Sequence, residues 1–110
     1  PLAKILSSKS YNANVTVIHS KTSNQKQFIT QADIFISAVG SAKLYDSSYF
    51  KQGATIIDVG ISSVDGKTYG DIDTQNISEV ASYRSPFPGG VGPITVSALF
   101  FNLSRLVKTN

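Results

Sequence analysis

Ser85-Pro86-Phe87-Pro88-Gly89-Gly90-Val91-Gly92-Pro93-Ile94-Thr95-Val96 is the most distinctive stretch of this chain, with three of its four prolines and three of its eight glycines. Proline fixes φ and removes a backbone donor, whereas glycine permits φ > 0 and close approach of another group. Pro93 stands where a helix would begin, because the first turn does not need its missing N–H. The apolar residues that follow predict an amphipathic helix running to about Lys108: Val96, Leu99, Phe100, Leu103, Leu106 and Val107.

A shaped loop that leads into a helix N-terminus suits an anionic or carbonyl-rich ligand, since the free N–H groups and the helix dipole point at it. The alternative is a Pro/Gly connection that only caps the helix, because loops collect these residues for turn geometry alone. Composition does not decide between the two.

Three β-rich runs precede this loop, at residues 14–19, 33–40 and 54–60. The second and third are nearly continuous apolar runs, which is typical of strands buried on both faces of a parallel sheet. A weak helix is predicted at residues 25–31, with Phe28 and Ile29 pointing inward. Asp46 is expected to cap a single helical turn.

The alternation of strands and helices predicts an α/β fold: a Rossmann-like parallel sheet with helices on both faces. In such sheets ligands bind beyond the carboxyl ends of the strands. The three ends predicted here are His19-Ser20, Val39-Gly40 and Gly60-Ile61-Ser62.

Shorter elements complete the prediction: an opening helix after Pro1, a tight hairpin at residues 64–69 with Asp65-Gly66 at its turn, a short helix at 74–80 and a last strand at 81–85. Asp71 and Asp73 are interpreted as turn and cap residues. Asp58 lies inside an apolar strand, where its carboxylate must be hydrogen-bonded, and structural and functional roles stay open.

Composition excludes several classes of function. The 110 residues make one domain or part of one, and 41% are hydrophobic, enough for a packed core. The absence of cysteine excludes disulfides and thiolate catalysis, and a single histidine excludes a multi-histidine metal site. The net charge of +3 is scattered and no apolar run reaches membrane-spanning length, so we expect neither nucleic acid nor membrane as a partner, and a cytoplasmic location.

Residues 85–96 resemble the signature of the methylenetetrahydrofolate dehydrogenase/methenyltetrahydrofolate cyclohydrolase family, usually Thr-Pro-Val-Pro-Gly-Gly-Val-Gly-Pro-Met-Thr-Val. Only Ser85, Phe87 and Ile94 differ from it. Residues 14–20, 51–61 and 70–73 are similar to further family segments, among them Lys-x-Gly-Ala and Ile-Asp-Val-Gly-Ile. Ser62 replaces the family's usual asparagine.

The resemblance implies a bifunctional enzyme of one-carbon metabolism and purine biosynthesis. Such an enzyme oxidises 5,10-methylenetetrahydrofolate with NADP and hydrolyses the methenyl product to 10-formyltetrahydrofolate. Tetrahydrofolate derivatives would be its partners, and the full-length protein is expected to be a homodimer.

Pro1 matches the proline that follows the family's Gly-Arg-Ser-x-x-Val-Gly-x-Pro turn. Residues 1–110 are therefore expected to form a partial NAD(P)-binding domain. The first strand, the phosphate-binding turn and the N-terminal folate domain with its Tyr-x-x-x-Lys motif are expected to lie outside it, so no catalytic residue is expected in this chain. In the usual strand order, the absent first strand would lie between the strands at Val15 and Ile56.

The resemblance also implies which residues face the cofactor. His19 and Ser20 would hold the adenosine ribose, and Ser20-Lys21, in place of the acid typical of NAD enzymes, favours NADP. His19 taken alone could also be a general base or a hydrogen-bonded structural residue. The remaining site residues are Val39 and Gly40 at the middle of the cofactor, Val59, Ile61 and Thr95 at the nicotinamide, and Pro88, Gly89, Gly90, Val91, Gly92 and Pro93 in a substrate-side loop.

Two alternatives remain at this point. One is the cofactor domain of another two-domain dehydrogenase of the shikimate type, against which the Pro-Gly-Gly-Val-Gly-Pro loop argues. The other is a non-catalytic Rossmann module that serves as an interaction surface.

Overall fold

The computed structural model describes residues 1–108 of the chain. The helices are α1 (Leu2–Leu6), α2 (Gln25–Gln31) and α3 (Val91–Lys108). The strands are β1 (Ile34–Ser37), β2 (Ala54–Asp58), β3 (Ser62–Val64), β4 (Lys67–Tyr69) and β5 (Ala81–Arg84), and short 3₁₀ turns span Ser47–Tyr49 and Ile77–Glu79.

The main sheet is parallel and has the order β1-β2-β5, with Phe35 opposite Ile56 and Ala54 opposite Ala81. This confirms the predicted Rossmann-like parallel sheet. The predicted position of the Ile56 strand was wrong. β2 does not border a gap, because β5 returns along its second edge and makes it the central strand of the three.

The strand predicted at residues 14–19 does not form; the segment runs without regular structure, and Val17 is 69% exposed. Its β-branched residues favour an extended backbone, but a strand also needs a neighbour for its N–H and C=O groups. Within residues 1–108 no strand pairs with it. Propensity alone therefore gave the wrong prediction here.

The core lies on one face of the sheet, beneath α2 and the loops. Its buried apolar residues are Ile29, Phe35, Tyr45, Phe50, Ala54, Ile56, Ile72 and Ile77. The Phe35 ring meets the Tyr45 ring edge-on, with centroids 5.1 Å apart. α2 supplies Ile29 as predicted, but Phe28 is exposed. On the other face of the sheet, Ile34 and Tyr83 are also exposed.

Most local predictions were confirmed. α2 has the predicted bounds, and Asp46 caps its turn by accepting a hydrogen bond from the Ser48 N–H at 2.8 Å. The β3–β4 hairpin turns at Asp65 and Gly66, whose φ angles are 50° and 75°. The helix predicted at residues 74–80 is only the turn Ile77–Glu79.

The long C-terminal helix ends at Lys108 as predicted but begins at Val91, two residues before the predicted start at Pro93, and its apolar side chains are exposed. Across α3 the large hydrophobic residues from Ile94 to Val107 are 54–69% exposed. Within the part of the chain that the structure describes, no helix is both long and apolar enough to span a membrane.

Candidate functional site

The carboxyl ends of β1 and β2 lie side by side and form an exposed shelf, which we define as Val39, Gly40, Val59 and Ile61. The Val59 N–H donates to the Ser37 carbonyl at 2.7 Å and extends the pairing of the two strands up to this edge. Gly40 has a φ of +76°, and a Cβ on it would lie 3.5 Å from the Ile61 carbonyl oxygen. A ligand could therefore approach bare backbone between two exposed aliphatic side chains.

A buried carboxylate lies directly beneath this shelf. Asp71 is fully buried, and its Oδ2 accepts from the Ser37 hydroxyl at 2.6 Å and from the Val39 N–H at 2.8 Å. Its Oδ1 accepts from the N–H groups of Gly40 and Ser41, both at 2.9 Å. Four donors converge on one side chain, so Asp71 is a buried acceptor and not merely the turn or cap residue that was predicted.

Asp58 is the second buried carboxylate. It accepts hydrogen bonds at 3.1 Å from the N–H groups of Gly60, Asp71 and Ile72. Of the two roles left open for Asp58, the structure favours the structural one. Asp73 keeps its predicted role, since it accepts from the Gln75 N–H at 3.2 Å in an exposed turn.

Glycines make room for both carboxylates. A Cβ on Gly60 would lie 2.0 Å from the Asp71 carboxyl, and a Cβ on Gly70 would lie 2.1 Å from Asp58 Oδ2. These positions require glycine for space rather than for backbone conformation.

The segment that carries Asp71 also pairs through its backbone with residues 43–45. Lys43 N–H donates to the Gly70 carbonyl and Tyr45 N–H to the Asp71 carbonyl, both at 3.0 Å. Burial, and then the nearby charge of Asp71, raise the pKa of the Tyr45 phenol. The loop that follows β1 is thus held on one side by this segment.

His19 and Ser20 lie in a separate tight turn before α2. Thr22 N–H donates to the His19 carbonyl at 2.8 Å, and Lys21 N–H donates to His19 Nδ1 at 3.2 Å. His19 is therefore a hydrogen-bonded turn residue here. The side chains of Ser20 and Lys21 are exposed, and neither forms a hydrogen bond or ion pair within residues 1–108.

The loop after β5 begins next to the buried network. Ser85 Oγ accepts from the Asp58 N–H at 2.8 Å, which ties the start of the loop to the end of β2. The Phe87–Pro88 bond is cis, and a Cβ on Gly90 would lie 2.2 Å from the Pro86 carbonyl oxygen. Thr95 lies in α3, and its hydroxyl donates to the Val91 carbonyl at 3.1 Å.

The structure thus brings Val39, Gly40, Val59 and Ile61 together. It places the His19–Ser20 turn and residues 88–93 as separate groups, which no hydrogen bond joins to the shelf among the described residues. Of the predicted substrate-side loop, Val91, Gly92 and Pro93 form the first turn of α3 instead. Sequence reasoning missed Asp71 and Ser37. The only signal was the pair of glycines, Gly60 and Gly70, that lie beside the two carboxylates.

The whole chain, residues 1–110, matches the model of the tetrahydrofolate dehydrogenase/cyclohydrolase, NAD(P)-binding domain. The chain belongs to this family. The match excludes the shikimate-type alternative.

Relatives agree with this assignment. The bifunctional protein FolD of Halalkalibacterium halodurans is 50% identical over 97 residues, which are 88% of this chain and 35% of that protein. FolD of Lactobacillus helveticus is 44% identical over 108 residues, 98% of this chain and 38% of that protein. The chain therefore spans somewhat more than a third of the length of these two relatives.

Solved structures of the family have the same fold. A 5,10-methylenetetrahydrofolate dehydrogenase from the silkworm Bombyx mori superposes with a TM-score of 0.91 at 36% identity, over 98% of this chain and 40% of that chain. The Trypanosoma brucei dehydrogenase-cyclohydrolase, solved with NADP cofactor and an inhibitor, superposes with a TM-score of 0.82 at 36% identity, over 92% and 36% of the two chains.

Proposed function

We propose that this chain is the NADP-binding part of an enzyme that oxidises 5,10-methylenetetrahydrofolate to the methenyl form and hydrolyses that product to 10-formyltetrahydrofolate. The exposed shelf at the carboxyl edge of the sheet carries the proposal, because ligands of Rossmann-like sheets bind at that edge. The names of the bifunctional relatives and the NADP bound by the trypanosomal structure support it.

Each site residue has a role in this proposal. Ser20, with Lys21 beside it, holds the 2′-phosphate of the adenosine ribose, with His19 shaping their turn. Val39 and Gly40 contact the middle of the dinucleotide. Val59 and Ile61 flank the nicotinamide, with Thr95 near its amide. Pro88, Gly89, Gly90, Val91, Gly92 and Pro93 face the tetrahydrofolate substrate.

The chemistry of this chain is binding and orientation. Residues 1–110 contain no Tyr-x-x-x-Lys motif, and positioned acid–base groups supply rate factors of about 10²–10⁴. We therefore place the catalytic lysine outside residues 1–110. The purified 110-residue polypeptide is expected to turn over no methylenetetrahydrofolate, and measurable turnover would contradict this division of labour.

The test of cofactor choice is Ser20→Asp in the full-length protein. The substitution removes a hydroxyl contact, and the new carboxylate repels the 2′-phosphate. The loss of transition-state stabilisation with NADP should be about 1–3 kcal/mol, so kcat/KM should fall about 5- to 150-fold. The value with NAD should change far less. Ser23→Asp is the matched control, because it adds the same charge at an exposed position of the same loop, outside the proposed site.

Two results would overturn parts of the proposal. Equal losses with both cofactors would remove Ser20 from the 2′-phosphate site. A full-length protein that binds NADP but neither oxidises methylenetetrahydrofolate nor hydrolyses the methenyl form would support the non-catalytic module instead.

A further inference from the structure

The loop that follows β1, residues 38–41, has little of its own to keep it in place. Val39 is 59% exposed, and Gly40 has a left-handed backbone that glycine adopts without strain but that is also easily lost. Three consecutive N–H groups, those of Val39, Gly40 and Ser41, nevertheless point the same way. They all donate to the carboxylate of Asp71.

We propose that Asp71 is the positioning residue of the cofactor site: its buried carboxylate fixes the backbone of residues 39–41 in the form that receives the dinucleotide. The inference rests on the proposed function, since it requires that the cofactor binds on the shelf. Asp71 is buried beneath the shelf and acts through Val39 and Gly40, not by touching the ligand.

The donor set shows why an aspartate suits this position. Both carboxylate oxygens accept two bonds each, one pair from Ser37 and Val39 and the other from Gly40 and Ser41. A carboxylate accepts at both oxygens, whereas an asparagine side chain must turn its NH₂ group toward one of these donor pairs. Hydrogen bonds to a charged acceptor are also roughly twice as strong as neutral ones.

The residues around Asp71 hold its backbone and its carboxylate in one position. Its own N–H is held by Asp58 Oδ1 at 3.1 Å, and Gly60 packs so closely that a Cβ there would lie 2.0 Å from the carboxyl carbon. Gly60 lies between Val59 and Ile61. The same carboxylate therefore contacts the ends of both strands that form the shelf, and it sets the position of one relative to the other.

The test is Asp71→Asn in the full-length protein, with the Kd for NADP measured by calorimetric titration. A misplaced loop should weaken binding by about tenfold or more, by analogy with residues that orient metal ligands, whose mutation typically costs a factor of 10–100. Ser37→Ala removes one of the four donors and should give a smaller loss in the same direction. Ser37→Ala also tests the proposal if Asp71→Asn does not fold.

A core variant separates positioning from general loss of stability. Ile77 is 1% exposed and lies outside the proposed site, so Ile77→Val or Ile77→Ala, whichever matches the Tm of Asp71→Asn, should leave the Kd for NADP within about twofold. Hydrogen exchange gives a readout without ligand. The amides of residues 39–41 should lose protection in Asp71→Asn and keep it in the Ile77 variant.

The outcomes are distinguishable. Unchanged NADP affinity and unchanged protection of residues 39–41 in Asp71→Asn, with normal binding by the wild type, would overturn the role of Asp71 and leave the proposed function standing. An equal loss of affinity in the Ile77 variant would show that Asp71 affects NADP binding only through the overall stability of the protein. A wild-type protein that binds no dinucleotide would overturn both proposals.

Discussion

The carboxyl edge of the sheet and the helix α3 have opposite kinds of support. At the edge, two buried carboxylates accept seven hydrogen bonds, six of them from backbone N–H groups. Along α3, by contrast, the large apolar side chains from Ile94 to Val107 are 54–69% exposed, and they take no part in the core.

The difference shows which part of the structure is stabilised by contacts among residues 1–108 themselves. The edge has its polar groups satisfied internally, and such networks specify one arrangement when every member is paired. α3 has its local backbone bonds and strong apolar periodicity, which are enough to predict a helix but not its packing partner. We therefore expect the two regions to respond differently to mutation and to isolation.

The largest expected effect concerns the polypeptide 1–110 expressed alone. Contiguous exposed apolar surface drives association, so this polypeptide should aggregate or remain molten rather than unfold cooperatively. Sedimentation at micromolar concentration measures the association, and thermal scans measure whether unfolding is cooperative. Replacing Leu99, Phe100 and Leu103 by Gln should reduce the association, whereas replacing Ser97, Asn102 and Ser104 by Gln should not. A monomer with a cooperative transition and dispersed amide resonances from the unmodified polypeptide would contradict this expectation.

The next effect tests the edge of the sheet. Asp58→Ala leaves three buried N–H groups without an acceptor, and each costs about 1–3 kcal/mol, so the free energy of unfolding of the full-length protein should fall by about 3 kcal/mol or more. Asp33→Ala makes the same change at an exposed ion pair with Lys51, which is worth about 0–1 kcal/mol. Urea unfolding compares the two variants. Equal losses would show that burial of the carboxylate does not matter.

The smallest effect concerns Asp46, a carboxylate that caps a turn at the surface. The Ser48 hydroxyl and then the Ser48 N–H lower its pKa. Its stabilising contribution is thus complete above its ordinary pKa of about 4 and is lost as pH falls through the lower folded value. Asp46→Asn removes the charge, so a small loss of Tm should be present near neutral pH and should disappear at pH values below the folded pKa of Asp46. A Tm loss as large as that of Asp58→Ala would contradict the ranking.

Local signals in the sequence predicted much of this structure. The bounds of α2, the Asp46 cap and the Asp65-Gly66 turn depend on neighbouring residues, and each formed as predicted. The Val39-Gly40 and Val59-Ile61 ends came together because parallel strands end at the same edge.

Long-range pairing was harder to predict. The segment around Val15 has strong β propensity but finds no partner strand within residues 1–108. Asp71 was interpreted as a turn or cap residue. Nothing local shows that its carboxylate accepts hydrogen bonds from donors thirty or more residues earlier in the chain. Such burial is a property of the assembled sheet.

We propose that NADP lies on the shelf of Val39, Gly40, Val59 and Ile61. A crystal structure of the full-length protein with NADP tests it most directly. We expect the 2′-phosphate within hydrogen-bond distance of Ser20 Oγ, the middle of the dinucleotide over Val39 and Gly40, and the nicotinamide beside Ile61. NADP bound away from this edge, with the shelf left uncovered, would contradict the account.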